Sequence, residues 1–159
     1  MKQTEARRLN LEIVIRPQAK IKSRQWWTNS YKKINRFLNL YLPKNKSLFL
    51  KRKGLSLLVT NDKEIRDLNK RFRKKNKPTD VLSFQLERKN QIKQKYLGDI
   101  IISVETARKQ AHIKAVSIDK ELKMLFIHAC LHLLGYDHMA KKEAKIMFLL
   151  QEKILGKCC

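Results

Sequence analysis

The sequence predicts an α+β fold: a single domain with one small mixed sheet and helices packed on it. Three observations lead there. Short apolar runs and helical periodicities succeed one another in the order β-α-β-α-β-β-α-α-α. Residues of helix-capping type, Ser23, Asn61 or Asp62, and Ser117, stand where three of the helical periodicities begin. A chain of 159 residues, 43% hydrophobic and with only four glycines and three prolines, has the length and composition for one core. We expect one domain over residues 1–159, without internal repeat or linker.

Taken in order, residues 9–15 alternate in hydropathy and predict a first strand. Ser23 caps a helix through Trp26, Trp27, Ile34, Phe37 and Leu38 to about Leu42, where Pro43 follows. The two tryptophans are expected in packing rather than as stacking platforms for bases. Residues 47–60 are strand material, bent or interrupted at 51–54. Asn61 or Asp62 then caps a helix carrying Ile65, Leu68 and Phe72. A polar loop at 73–80 leads into the strand Val81, Leu82, Ser83, Phe84, and a charged hairpin connection at 87–95 leads to a strand over 96–103. A helix over about 104–114 carries His112. Ser117 caps the next helix, with Asp119 and Glu121 in its first turn, where the helix dipole favours acids. A last helix is expected over about 141–155, and the terminal Cys158 and Cys159 in a frayed tail.

Composition narrows the function. No apolar run reaches the roughly 18 residues of a membrane span, and the first residues lack the apolar stretch of a secretory signal. A cytoplasmic protein is expected, and three cysteines imply no disulfide framework. Lys and Arg number 37 against 14 acids, for a net charge of +23. Residues 1–53 alone hold fifteen basic residues and two acids. Such a field favours a polyanionic partner and salt-sensitive binding, although lysine-rich composition by itself also produces it.

The segment from His128 to His138 carries the chemistry. Three of the four histidines fall in it, spaced H-x3-H-x5-H, on a helix that is otherwise apolar from Met124 to Leu134. His128 and His132 are one turn apart and share a face. Gly135 can take the left-handed conformation that ends a helix and lets His138 turn back to the same point. Three neutral imidazoles suit a tetrahedral zinc ion with one position open to water, a catalytic arrangement on a central helix. Metzincin zinc proteases share this spacing but place a glutamate after the first histidine as general base. Here that position is Ala129, which rules out a peptidase working by that route.

The loop at 73–80 is the second candidate element. Pro78 restricts Lys77 to extended geometry, and Thr79 with Asp80 can lock the turn, which would fix Arg73 before a buried strand. A guanidinium fork matches two phosphate oxygens. A solvated charge run of Arg71, Arg73, Lys74, Lys75 and Lys77 is the competing reading at this point.

Leu68-Asn69-Lys70-Arg71-Phe72-Arg73, followed by Lys77-Pro78-Thr79-Asp80-Val81-Leu82-Ser83-Phe84, resembles a characteristic segment of the YbeY family. Leu97-Gly98-Asp99-Ile100 and the histidine segment at 128–138 resemble it too, in the same order and spacing. The resemblance covers about residues 55–155 and is loose before that. It implies a metal-dependent endoribonuclease, a hydrolase specific for single strands. Such an enzyme acts in rRNA maturation at the 3′ end of small-subunit (16S) rRNA and in ribosome quality control. Its implied partners are single-stranded RNA, rRNA and the ribosomal small subunit, with no membrane and no small-molecule cofactor. It further implies one Zn2+ per chain on His128, His132 and His138, and Arg73 as an essential positive group. Two positions depart from the family pattern: Ala129 replaces a glycine and Asn76 an acid. The general base stays open, with Asp137 as base or as the orienter of a ligand histidine. Both a 5′-phosphate product and a 2′,3′-cyclic phosphate remain possible. The alternative is a non-catalytic ribosome assembly factor with a structural metal.

Overall fold

A computed structural model of the chain describes residues 11–19, 21–44, 46, 54–87, 89–90, 96–136 and 141–159. Strand β1 spans Leu11–Ile15, and α1 spans Arg24–Tyr41 after a short 3-10 turn. Then come β2 (Gly54–Thr60) and α2 (Asp62–Arg73), followed by β3 (Val81–Gln85) and β4 (Tyr96–Ser103). The chain closes with α3 (Val104–Ile113), α4 (Ile118–Leu133) and α5 (Lys141–Cys158). The expected α+β class and element order hold. Residues 47–53 and most of the 87–95 connection lie outside the described residues.

The caps read from sequence form as local hydrogen bonds. Ser23, Asn61 and Ser117 accept from the backbone amides of Trp26, Glu64 and Lys120. Each satisfies one of the amides a helix start leaves without a partner. Of the two candidates for the α2 cap, it is Asn61 that holds the position.

The sheet order is β1-β2-β4-β3, with β1, β2 and β4 parallel and β3 antiparallel on the outer edge. Register decides what each face meets. The row Ile13, Leu57, Ile100, Ser83 looks toward the main core with α1, α4 and α5, and its apolar members are buried there. The neighbouring row Leu58, Ile101, Leu82 looks the other way, where α2 covers it with Ile65 and Leu68. Trp27, wholly buried, meets Phe126 of α4 edge to face at 6.0 Å, so the tryptophan is core packing as expected.

The terminal helix corrects one expectation. It runs to Cys158, whose side chain is buried and whose carbonyl accepts from Lys123 at 2.9 Å. Tertiary packing on α4, not helix propensity, keeps the last turn from fraying. Among the described residues no helix is long and apolar enough to cross a membrane.

Candidate active site

Helix α4 is buried on nearly every side: Leu122, Leu125, Phe126, Ile127, Ala129, Cys130, Leu131 and Leu133 are all in the core. At about 1.5–3 kcal/mol per large side chain, that burial fixes the helix firmly. One stripe stays half-open, Met124, His128 and His132, at four-residue spacing along one face. The two histidines therefore look into the same space. Their Nε2 atoms stand 3.1 Å apart, and their rings meet edge to face at 4.6 Å.

The other ring nitrogen of His128, Nδ1, lies 2.9 Å from Oε1 of Gln151 on α5. A carboxamide oxygen can only accept, so Nδ1 carries the proton and Nε2 presents its lone pair. Sequence reading passed over Gln151. Its signal was there: it is the one polar member of the buried stripe Met147, Gln151, Ile154, Leu155 and Cys158.

Beyond His132 the helix ends as its glycine predicts. Gly135 adopts φ of +80°, its amide bonds to the His132 carbonyl, and the Tyr136 amide reaches the Leu131 carbonyl. This is a paired C-terminal closure that satisfies two of the last carbonyls. It ends α4 at Leu133, one residue after the second histidine. Asp137 and His138 lie outside the described residues. Among the described residues no group of three His, Cys, Asp or Glu side chains comes together. His112 is exposed on α3. Cys130, between the histidines in sequence, is wholly buried, and burial pushes its thiol up, so it is an inert core residue.

Across from α4, the edge strand β3 turns Val81 and Ser83 toward the histidines. Together with Arg73, Asp80, Met124 and Gln151 they line a cleft of about 420 Å³ around His128 and His132. Arg73, the last residue of α2, reaches round the open edge of β3 and donates from Nη2 to the Ser83 carbonyl at 3.2 Å. Arg73 is exposed, as in a solvated charge run, but this hydrogen bond ties it to the cleft wall.

The loop behind it is held as its proline and turn residues suggest. Lys74 takes the left-handed conformation (φ 59°) that ends α2, and the buried Asn69 side chain donates to the Lys77 carbonyl at 2.8 Å. The Asp80 carboxylate accepts from the Val81 amide at 2.7 Å and the Thr79 hydroxyl at 3.0 Å, while its other oxygen accepts from Gln110 at 2.9 Å. Gln110 was not foreseen, because nothing local in α3 marks which side chain meets a loop thirty residues earlier.

Facing imidazoles on one wall and an anchored guanidinium on the other suit activation of a nucleophile and neutralisation of a phosphoryl charge. The class so defined is an enzyme, a hydrolase on a mixed α+β scaffold. A sequence model of the family described as Endoribonuclease YbeY matches residues 16–158, and the chain belongs to that family. The match reaches back through α1, well before the motifs that begin near residue 55. Among curated relatives, an Endoribonuclease YbeY of Pelagibacter ubique is 42% identical over 132 residues, covering 80% of this chain and 86% of the relative. One from Heliobacterium modesticaldum is 46% identical over 111 residues, covering 64% and 67%. A solution structure from Thermotoga maritima superposes with a TM-score of 0.64 at 26% identity, covering 93% of this chain and 88% of that one.

Proposed function

We propose that this protein is a zinc-dependent endoribonuclease of the cytoplasm that cuts single-stranded RNA. Its role is the maturation of the 3′ end of small-subunit rRNA and the quality control of ribosomes. The observation that carries the reading is the pair of Nε2 atoms 3.1 Å apart in a cleft walled by Arg73. Two nitrogens bound to one tetrahedral zinc at about 2.0–2.1 Å stand roughly 3.3–3.4 Å apart. The imidazole pair thus fits the ion with little adjustment. His128, His132 and His138 would hold it.

Bound zinc supplies Lewis acidity, lowering the pKa of a water and polarising a phosphoryl oxygen. The chain's own groups do the rest. Gln151 keeps His128 in the tautomer that donates its Nε2 lone pair. Arg73 spends one of its five N–H donors on the Ser83 carbonyl, which leaves a fixed fork at the cleft wall for the charge that builds on phosphate oxygens. Asp80 is a poor candidate for the general base, because both its oxygens are engaged in holding the loop. A net charge of +23 supplies the steering field for a polyanion.

The test is cleavage of an end-labelled, single-stranded rRNA fragment by zinc-loaded protein, with His132→Ala prepared in parallel. Loss of cutting in a folded variant supports the reading, and the product ends identify the nucleophile. Equal cutting by both preparations assigns the activity to a contaminant. No cutting by either favours the assembly factor.

A further inference from the structure

On α2, one residue before Arg73, Phe72 leaves 56% of its surface in water. It packs against Phe84 of β3, with ring centroids 5.2 Å apart and planes inclined at 59°. Two guanidinium groups flank this pair. Arg71 lies 5.3 Å from the Phe72 centroid, and Arg73 lies 5.8 Å from that of Phe84. Strand alternation sends Ser83 to the histidine cleft and Phe84 to the opposite face, so the aromatic pair sits just across the open edge of β3 from the cleft. Arg73 belongs to both places: it lines the cleft and lies over the ring of Phe84. An exposed ring bracketed by arginines, continuous with a catalytic wall, is not core packing, since Leu68 and Ile65 already cover the sheet there.

We propose that Phe72, backed by Phe84, is a stacking platform for an unpaired base next to the phosphate that Arg73 holds. The proposal rests on the reading of the cleft as an RNA-cleaving site. Every base has a π face, so a single aromatic ring takes any of them, and flanking guanidinium groups pair with the phosphates on either side. The ring is open to an unpaired base only. In a duplex the base faces are covered by their neighbours, so the platform contributes directly to single-strand preference. Charge sets the direction of the strand. The trough beyond Phe72, about 500 Å³ on the α2 side of the sheet, carries Asp99 directly across from Phe84, with Glu12 on β1 and Arg16 just beyond that strand. The Asp99 carboxylate repels phosphates, and Arg16 is already paired with Glu64, which keeps the sugar-phosphate chain at the Arg71–Arg73 side and leaves the uncharged base over Phe72.

The experiment is fluorescence anisotropy of the full-length protein with a labelled single-stranded oligonucleotide made resistant to cutting by 2′-O-methyl and phosphorothioate groups. Phe72→Leu removes the π face and keeps apolar bulk, whereas Phe72→Tyr keeps both. Affinity should fall about 5- to 50-fold for Leu and stay within about twofold for Tyr. The salt dependence of binding should not change, because no phosphate contact is lost. An oligonucleotide with one abasic site at the contacted position should bind the wild type more weakly, with no further loss on Phe72→Leu. Equal affinity of the wild type and Phe72→Leu overturns the platform while leaving the nuclease reading in place, and the pair is then a protein-docking surface. Failure of the wild type to bind any single strand overturns the RNA reading and the platform with it.

Discussion

Replacing Gln151 by leucine isolates the contribution of one hydrogen bond to the proposed metal centre. Gln151 is 8% exposed on the apolar stripe of α5, and its Oε1 lies 2.9 Å from Nδ1 of His128. Leucine fills nearly the same volume among Met147, Ile154 and Leu155, so the stripe gains apolar contact. The Nδ1–H it leaves without an acceptor costs about 1–3 kcal/mol. The two effects offset, and the zinc-free melting temperature should move by only a few degrees. Metal affinity behaves differently. Without an acceptor the imidazole can move its proton to Nε2, the atom needed for the metal, or rotate. Loss of such a partner typically weakens a site 10- to 100-fold, or about 1.4–2.7 kcal/mol. Competition against a chromophoric chelator measures the zinc affinity, and nitrogen-15 shifts of the zinc-free protein report which His128 nitrogen carries the proton. Gln151→Glu retains the acceptor and should restore tight binding. Unchanged zinc affinity in Gln151→Leu, or a zinc-free His128 protonated mainly on Nε2 in the wild type, would refute the reasoning.

Arg73→Lys keeps the charge but not the fork anchored on Ser83. Single-turnover cleavage should slow by about 10²- to 10³-fold, with the fold intact because Arg73 is exposed, and a loss below threefold would remove it from the transition state. Gly98→Ala should destabilise the protein by roughly 3 kcal/mol or more in urea denaturation. Gly98 has φ of +146°, and an added Cβ would sit 2.1 Å from the Phe84 carbonyl oxygen. Acid should unfold the protein partly through Asp62. Desolvation works to raise its pKa, but hydrogen bonds from Ser103, Thr106 and Lys109 outweigh it, and the net shift is downward. A carboxylate with a depressed folded pKa stabilises above its unfolded value, about 3.9, and loses that contribution as pH falls through the folded value. Asp62→Asn should therefore flatten the stability profile below about pH 4, and an unchanged slope in chemical denaturation across that range would contradict it.

Much of the scaffold was legible because it is decided within a turn or two of chain. Ser23, Asn61 and Ser117 act on amides three residues away, and the Gly135 and Tyr136 amides close α4 on carbonyls three and five residues back. The pairing of His128 with His132 belongs to the same class, since helix geometry alone puts residues four apart on one face. None of these needs a distant partner to be read.

The cleft itself needed the fold. Its walls come from the end of α2, the edge strand β3, the middle of α4 and the far half of α5, and no local periodicity says that these meet. The sequence marked Arg73 as a candidate, but only the antiparallel placement of β3 on the sheet edge leaves the Ser83 carbonyl open to anchor it. Gln151 is separated from His128 by 23 positions, and Gln110 from Asp80 by 30. The sequence showed that each is polar but not what it would meet. Cys158, which reads as a loose end, is buried because α5 packs on α4. What the sequence determined by itself was the set of helices and strands, most of their ends, and the residues equipped for chemistry, since neighbours along the chain interact whatever the rest of the molecule does. What the tertiary structure alone decided was which of those residues share a space, because hydrogen bonds and desolvation at the cleft exist only once sheet register and helix packing bring distant segments within about 3 Å of one another.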